Sequence, residues 1–256
     1  MITDTIVAPA TAEGKAGLSI IRLSGNKSHK ICLKLTNNKV KFIDLSADFR
    51  LRDSRLYKKW YGVNHKCKEL IDKSVYAITE FSRDNLDKYK IISCPGCYPT
   101  SVQIPLIPLI EKKMINVKNI IIDSKSGYSG AGKNVKSKFK NISNSVSSYG
   151  VGSHRHMAEI DQELSKVSKK KINVSFTPHV IPMFRGIMST IYLETLGINN
   201  ARKVYNFLRK YHKKNFFVKK IPCLYIFLKF IDLNSSHSVS RITKSAPLQL
   251  DFILFL

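Results

Sequence analysis

The sequence predicts an α/β or α+β protein, because short apolar strands are interleaved with an amphipathic helix. Strands are predicted at 40–45, 90–93 and 117–123, each followed by a polar or glycine-containing turn, and the strand at 40–45 is expected to be buried. From Met157, apolar residues recur at helical spacing with charged residues between them. Residues 172–195 have the pattern of two strands joined by a turn, and the second strand alternates between two side-chain sets.

Length and composition limit the class of protein. The 256 residues are 43% apolar, enough to bury a core, which excludes wholesale disorder. Five scattered cysteines do not form a disulfide framework, so a reduced, cytoplasmic protein is expected. No signal peptide is expected at the start of the chain. The longest apolar stretch, 221–231, is shorter than the roughly 20 residues that a membrane span needs, so no membrane association is expected.

The net charge of +25 raises the possibility of a nucleic-acid partner. However, 33 of the 43 cationic residues are lysine and only 10 are arginine, whereas phosphate forks and base readout favour arginine. The chain is also rich in Ile, Asn, Ser and Phe, a mixture typical of AT-rich coding. The lysines are therefore predicted to be solvated surface, and nucleic acid is not an expected partner.

The segment SCPGCYPTS contains a C-x-x-C pair, Cys94 and Cys97. A zinc site would need a second pair of ligands, which the other three cysteines do not form, so no metal is predicted. A dithiol redox pair would need a thioredoxin-type context. A catalytic thiol at Cys97 would gain from a helix N-terminus, although Pro105 and Pro108 are predicted to interrupt that helix. Two inert buried cysteines remain an equal alternative at this point.

Two further segments carry candidate chemistry. GYSGAGKN, starting at Gly127, comes close to a P-loop but has Asn134 where a magnesium-binding hydroxyl is required. That excludes a nucleotide triphosphatase and leaves a loop whose amides could approach an anionic ligand. SHRHMAEI places two histidines, an arginine and a glutamate at the start of the predicted helix. The two histidines and the glutamate could bind a metal or act as a base with its orienting group, or the segment could be a solvated helix start. Downstream, His179 and Arg185 add a base candidate and an anion fork.

Six segments together resemble one enzyme family, N-acetyl-gamma-glutamyl-phosphate reductase of arginine biosynthesis. They occur in the family's order and cover roughly residues 39–215. Several spaced motifs are far more specific than any one of them. The segments are FIDLSADFRLRD (42–53), YKKWYG (57–62), SCPGCYPT (93–100), DSKSGYSGAGK (123–133), SHRHMAEIDQEL (153–164) and FTPHVIPMFRGI (176–187).

The resemblance implies a role for the cysteine pair. Cys97 would be the nucleophile that attacks an acyl phosphate, expels phosphate and forms a thioester, and Cys94 would not be required. NADP would be the cofactor, and NADPH would reduce the thioester to the semialdehyde. His156 is the favoured acid/base, with His154 as the alternative and Glu159 as the orienting group.

The same resemblance implies binding residues and partners. The substrate would be a small acyl phosphate, and the folded chain would be a homo-oligomer. The implied substrate-binding residues are Arg185, Ser46 and Arg50. The implied cofactor-binding residues are Ser126, Gly127, Ser129 and Gly130.

The chain departs from the family at both ends. It has no G-x-G-x-x-G fingerprint, and residues 2–25 instead resemble the start of the tRNA-modification GTPase MnmE. The family's C-terminal stretch is expected to be missing after about residue 220. The predicted fold is a remnant of a Rossmann domain followed by a mixed-sheet catalytic and dimerisation domain of the semialdehyde dehydrogenase type. The predicted domains are an MnmE-like fragment (1–38), a partial cofactor domain (39–97), a catalytic/dimerisation domain (98–220) and an unmatched tail (221–256).

Three functional interpretations remain open on this basis. The first is an active reductase, and the second is a catalytically inactive fusion remnant or oligomerisation module. The third is a protein related to tRNA modification, suggested by the charge and by residues 2–25.

Overall fold

The structure is a computed structural model in which most of the region with the six motifs is described. Among the described residues, no helix has both the length and the apolar character that a membrane span requires. The described residues are 41–131, 144–197, 201–215 and 218, four residues near the start (27, 30, 31 and 34), and the backbones of strands 6–9, 21–24 and 248–254.

The chain begins with a short antiparallel hairpin of β1 (Ile6–Pro9) and β2 (Ile21–Ser24), and two larger sheets follow it in the sequence. The smaller sheet is parallel, with β5 between β3 and β4. Helices and 3-10 turns connect its strands, as in half of a doubly wound fold. Its elements are β3 (Phe42–Asp44), α1 (Ser54–Tyr61), a 3-10 turn (Lys68–Lys73), β4 (Ser74–Tyr76), α2 (Thr79–Ser82), a second 3-10 turn (Arg83–Lys88) and β5 (Ile91–Ser93).

The strand predicted at 40–45 is confirmed as β3, but the prediction that it is buried is wrong. Phe42 packs on an apolar cluster, whereas Ile43 is 61% exposed and Leu45 is 73% exposed. Successive side chains of a strand point to opposite faces, so only one set can reach the cluster.

The larger sheet is mixed, with strand order β10-β9-β6-β8-β7. Its long central strand β6 pairs parallel with β8 and antiparallel with β9, and β10 pairs antiparallel with β9. The strand predicted at 117–123 is longer at both ends. It begins at Ile115, which pairs with β9, and it continues to Gly127 because residues 124–126 pair with both neighbours and Gly127 pairs with β8. The strands are β6 (Ile115–Gly127), β7 (Ser147–Ser148), β8 (Ser175–Ile181), β9 (Ile187–Thr195) and β10 (Leu248–Leu254).

Three helices contribute to the main core with this sheet. They are α3 (Cys97–Glu111), α4 (His156–Ser168) and α5 (Ala201–Tyr211), followed by a 3-10 turn (His212–Lys214). The helix predicted from Met157 is confirmed as α4, whose Ile160 and Leu164 are fully buried. Another 3-10 turn, Tyr128–Ala131, follows β6.

The prediction that two prolines interrupt the helix at Cys97 is wrong. α3 runs continuously from Cys97 to Glu111 with Pro105 and Pro108 inside it. Proline cannot donate to the carbonyl four residues earlier, and in a buried helix that carbonyl needs another partner. For Pro108 the carbonyl is that of Ile104, which lies 3.0 Å from Nε2 of His212. A side chain from the 3-10 turn after α5 therefore replaces the missing backbone donor.

Candidate active site

A cavity of about 420 Å³ lies where the smaller sheet meets the main core. Its wall includes the residues after β3 and the first residues of α3 and α4. In α/β sheets, ligands bind at this end, beyond the carboxyl ends of the parallel strands. The predicted site residues in the wall are Ser46, Arg50, Cys97, Ser126, Gly130, His154 and His156.

Cys97 is the first residue of α3, directly after the turn that leaves β5. Burial raises the pKa of the Cys97 thiol above 9.0, while the backbone N–H groups of Tyr98 and Cys97 act in the opposite direction. The negative charge of Glu159 raises that pKa further, and Arg50 opposes it. The thiol is thus protonated at neutral pH in the free protein, and forming the thiolate requires a base.

Glu159 is fully buried behind the cavity wall. One carboxylate oxygen accepts hydrogen bonds from the Gly96 N–H at 2.9 Å and from the Tyr76 hydroxyl at 3.3 Å. The other lies 3.2 Å from Nη1 of Arg50. Its separation from Nε2 of His156 is 3.9 Å, longer than a hydrogen bond. Glu159 therefore holds the turn before Cys97 more directly than it orients the histidine. Burial raises the pKa of Glu159, and the Arg50 charge opposes that rise.

The two histidines of the SHRH segment lie side by side, with ring centroids 4.7 Å apart. The backbone N–H of His156 donates to Nδ1 of His154 at 3.2 Å, so the proton of neutral His154 is on Nε2. His156 packs on the Cys97 turn, where a Cβ added at Gly96 would lie 2.4 Å from its Nε2. Burial lowers the pKa of His154 to about 4 and that of His156 to about 3. Both rings are neutral at pH 7. Because the lone pair of His154 on Nδ1 is used by the backbone N–H, His156 is the ring of the two that can accept a proton.

Aromatic side chains form the wall around these rings. The Tyr98 ring makes edge contacts with both histidines, and its hydroxyl lies 2.9 Å from that of Tyr149. The Tyr98 hydroxyl also donates to the His179 carbonyl at 3.2 Å. The predicted base candidate His179 is placed differently, with Nδ1 3.0 Å from a carboxylate oxygen of Asp123 on the larger sheet.

Comparison with known proteins identifies the family. Residues 97–239 match the family described as semialdehyde dehydrogenase, dimerisation domain. The chain belongs to this family. The match begins at Cys97, the residue that the resemblance to the reductases implies as the nucleophile.

Curated relatives carry a more specific name. The chain is 46% identical over 182 residues to "Probable N-acetyl-gamma-glutamyl-phosphate reductase, chloroplastic" of Arabidopsis thaliana, covering 70% of this chain and 45% of that protein. It is 46% identical over 189 residues to N-acetyl-gamma-glutamyl-phosphate reductase of Ehrlichia canis, covering 73% of this chain and 54% of that protein. The predicted resemblance is confirmed. The chain spans about half the length of the curated relatives it matches.

Solved structures confirm the predicted fold class. Aspartate semialdehyde dehydrogenase II of Vibrio cholerae superposes with a TM-score of 0.52 at 13% identity, over 84% of this chain and 74% of that one. Aspartate semialdehyde dehydrogenase of Francisella tularensis gives a TM-score of 0.52 at 13% identity, over 75% and 61%. These likenesses concern the fold alone.

Four of the predicted site residues do not line the cavity. Glu159 lies behind the wall, and Ser129 is exposed beside Gly130. Arg185 is exposed in the β8–β9 turn, with its guanidinium 5.4 Å from the Phe184 ring centroid. Gly127 is packed against that turn, because a Cβ there would lie 2.8 Å from the Arg185 nitrogen.

Sequence reasoning assigned no role to several residues that do line the cavity. They include Tyr61, Tyr98, Tyr149 and Arg155. Tyr61 and Arg155 each belong to a quoted motif, YKKWYG and SHRH respectively, so the signal was present. Their contact shows only in the structure, where Cζ of Arg155 lies 5.3 Å from the Tyr61 ring centroid.

Proposed function

We propose that this chain carries the chemistry of N-acetyl-gamma-glutamyl-phosphate reductase, with Cys97 as the nucleophile of an acyl-phosphate reduction. One observation carries the proposal: Cys97 and His156 share one cavity, each as the first residue of its helix. Support also comes from the relatives of that name.

The first step is acyl transfer to sulfur. Neutral His156 accepts the thiol proton, and the thiolate is stabilised by the N–H groups of Cys97 and Tyr98. Sulfur then attacks the acyl carbon, the carbon–oxygen bond to phosphate breaks, and phosphate leaves with that electron pair. The product is a thioester on Cys97, an intermediate that suits sulfur because thiolate is both a good nucleophile and a good leaving group.

The described residues fit the reacting end of a nicotinamide cofactor, which we propose to be NADP. The cavity lies beyond the carboxyl ends of β3 and β5, and Ser126 and Gly130 are in its wall. Gly130 keeps that wall open, because a Cβ there would lie 3.1 Å from Oγ of Ser126. NADPH, when bound, supplies the hydride that reduces the thioester to the aldehyde. The tyrosine and histidine rings of the wall limit the access of water to the thioester.

The proposed binding roles follow the cavity wall. Ser46 contributes to substrate binding, with its hydroxyl oriented by a 2.6 Å hydrogen bond to Asp44. Arg50 supports the Cys97 turn through its hydrogen bond to the Cys94 carbonyl and its ion pair with Glu159. Arg185, Gly127 and Ser129 do not line the cavity, so their predicted contacts are not needed in this proposal.

The remaining expectations complete the proposal. The domain limits at 38, 97 and 220, a homo-oligomer built on the larger sheet, and a cytoplasmic location are all part of it. The family's name, with its dimerisation domain, supports the homo-oligomer. The likeness of residues 2–25 to MnmE also stays a proposal, and only two strands of that segment are described. The missing glycine fingerprint favours one competing function, an inactive oligomerisation module.

The test is phosphate-dependent reduction of NADP⁺ by the purified chain supplied with N-acetylglutamate semialdehyde. We expect turnover that Cys97→Ala reduces by at least about a thousandfold, because the thioester cannot form. A soluble, folded wild-type chain without turnover would contradict the reductase proposal and favour the inactive module.

A further inference from the structure

Two arginines line the cavity, and their guanidinium groups have different surroundings. The Arg50 side chain is 12% exposed and lies 3.2 Å from a Glu159 oxygen. Its Nε donates to the Cys94 carbonyl at 2.8 Å, and its Nη2 donates to the Leu45 carbonyl at 3.3 Å. The donors of Arg50 are therefore already engaged within the protein, and its charge is balanced by Glu159.

Arg155 is the contrasting case. It is exposed, directly precedes α4, and lies over the Tyr61 ring, with both residues in the cavity wall. Across the described ranges, no carboxylate lies within ion-pair distance of its guanidinium. Stacking on an aromatic face fixes the guanidinium plane but leaves its N–H edges available. Arg155 thus has a defined position and donors for a ligand.

The rest of the cavity is also suited to an anion. α3 and α4 both begin at the wall, and the N-terminus of a helix carries partial positive charge. His154 and His156 are neutral at pH 7, so they neither repel nor balance an anion there. Glu159, whose carboxylate accepts a hydrogen bond from the Gly96 N–H, is already paired with Arg50. A ligand carboxylate or phosphate would therefore find an unbalanced cation at Arg155.

We propose that Arg155, held over the Tyr61 ring, binds an oxyanion of the substrate and so positions the acyl carbon against Cys97. This inference rests on the proposed function, because it assigns the substrate contact at the same cavity. The planar guanidinium matches both a carboxylate and a phosphate through two parallel hydrogen bonds. Arg185, outside the cavity and stacked on Phe184, is the rival position.

The test follows alkylation of Cys97 by iodoacetamide, resolved by fragment-ion mass spectrometry, because it requires neither cofactor nor turnover. The rate is measured alone, with N-acetylglutamate as the carboxylate probe, and with inorganic phosphate. In the wild-type chain we expect at least one probe to slow alkylation about fivefold or more. Arg155→Met should reduce that protection to less than about twofold, and Arg155→Lys should restore only part of it.

Arg83→Met is the matched control, since Arg83 is exposed and does not line the cavity. Arg83→Met should keep the full protection of Cys97 by the probe. Both Arg83→Met and Arg155→Met should keep the wild-type melting temperature. The protective probe identifies the group that Arg155 binds. If neither probe protects the wild-type chain, or if Arg185→Met removes protection and Arg155→Met does not, the inference is overturned. Protection through Arg155 in a chain without turnover would uphold the anion site while contradicting the reductase proposal.

Discussion

The carboxylate of Glu159 accepts a hydrogen bond from the backbone N–H of Gly96 at 2.9 Å and so ties α4 to the turn before Cys97. Its second oxygen pairs with Arg50, which in turn donates to the Cys94 carbonyl at 2.8 Å. The nucleophile's turn is thus fixed from two sides by one buried ion pair. Removing one member of such a pair leaves a buried charge without compensation, which is strongly destabilising.

Glu159→Gln should lower stability and raise the reactivity of Cys97 together. The amide can still accept from Gly96, but Arg50 loses its counter-charge, so the free energy of unfolding should fall by about 3 kcal/mol. Loss of the negative charge lowers the pKa of the Cys97 thiol, and the uncompensated Arg50 lowers it further. Chemical denaturation and the rate of alkylation by iodoacetamide at pH 8 measure the two effects.

Glu163→Gln is the control for that substitution. Glu163 is also buried and lies one turn further along α4, but it contacts Gln162 and Lys166 instead of the Gly96 turn. It should leave alkylation of Cys97 unchanged. Slower alkylation of Cys97 in Glu159→Gln would contradict the assigned electrostatics.

Cys94→Ala should retain turnover within about twofold of the wild-type value. Cys94 does not line the cavity, and its hydrogen bonds to the Asp44 carbonyl and from Arg50 use its backbone N–H and carbonyl, which alanine keeps. The same assay that tests Cys97→Ala measures this, with intact mass confirming each variant. A loss comparable to that of Cys97→Ala would mean that the C-x-x-C acts as a pair.

The sequence was sufficient to predict the strands and helices that carry the site, because periodicity and turn residues are local signals. The interruption predicted at Pro105 and Pro108 did not occur, because the carbonyl left without a donor by Pro108 is satisfied by His212, more than a hundred residues away. Local propensity carries no information on such a partner. The helix is retained because tertiary contacts compensate for the missing backbone bond.

The site was predictable as a set of residues but not as a set of contacts. The motifs indicated Cys97, His154, His156 and Glu159 as site residues, and the structure places the first three in the wall of one cavity. They did not show that Glu159 accepts a hydrogen bond from a backbone N–H, or that Gly127, the last residue of β6, serves packing. Both facts depend on the approach of segments distant in sequence.

Gly127→Ala should destabilise the protein in the absence of any ligand. The added Cβ would lie 2.8 Å from the Arg185 nitrogen and from the Met183 carbonyl oxygen, which are backbone atoms that cannot rotate away. Overpacking of this kind costs roughly 1–3 kcal/mol. Thermal denaturation of the cofactor-free chain measures it. Gly130→Ala is the matched control, because its nearest neighbour is the Ser126 hydroxyl at 3.1 Å, and it should cost clearly less. Equal melting temperatures for Gly127→Ala and the wild-type chain would contradict the packing role.

His154 and His156 should remain neutral well below the usual histidine range. Burial lowers their pKa values from 6.5 to about 4 and about 3. An unfolded chain takes up protons at these positions near pH 6.5, whereas the folded chain does not, so their stabilising contribution is complete above 6.5 and falls as the pH decreases. For each ring, the free energy of unfolding should be roughly 1–2 kcal/mol lower at pH 5 than at pH 7. Long-range nitrogen–proton NMR spectra, assigned with His154→Gln and His156→Gln, should show both rings neutral down to pH 5. A midpoint near 6.5 for either ring would contradict its buried environment.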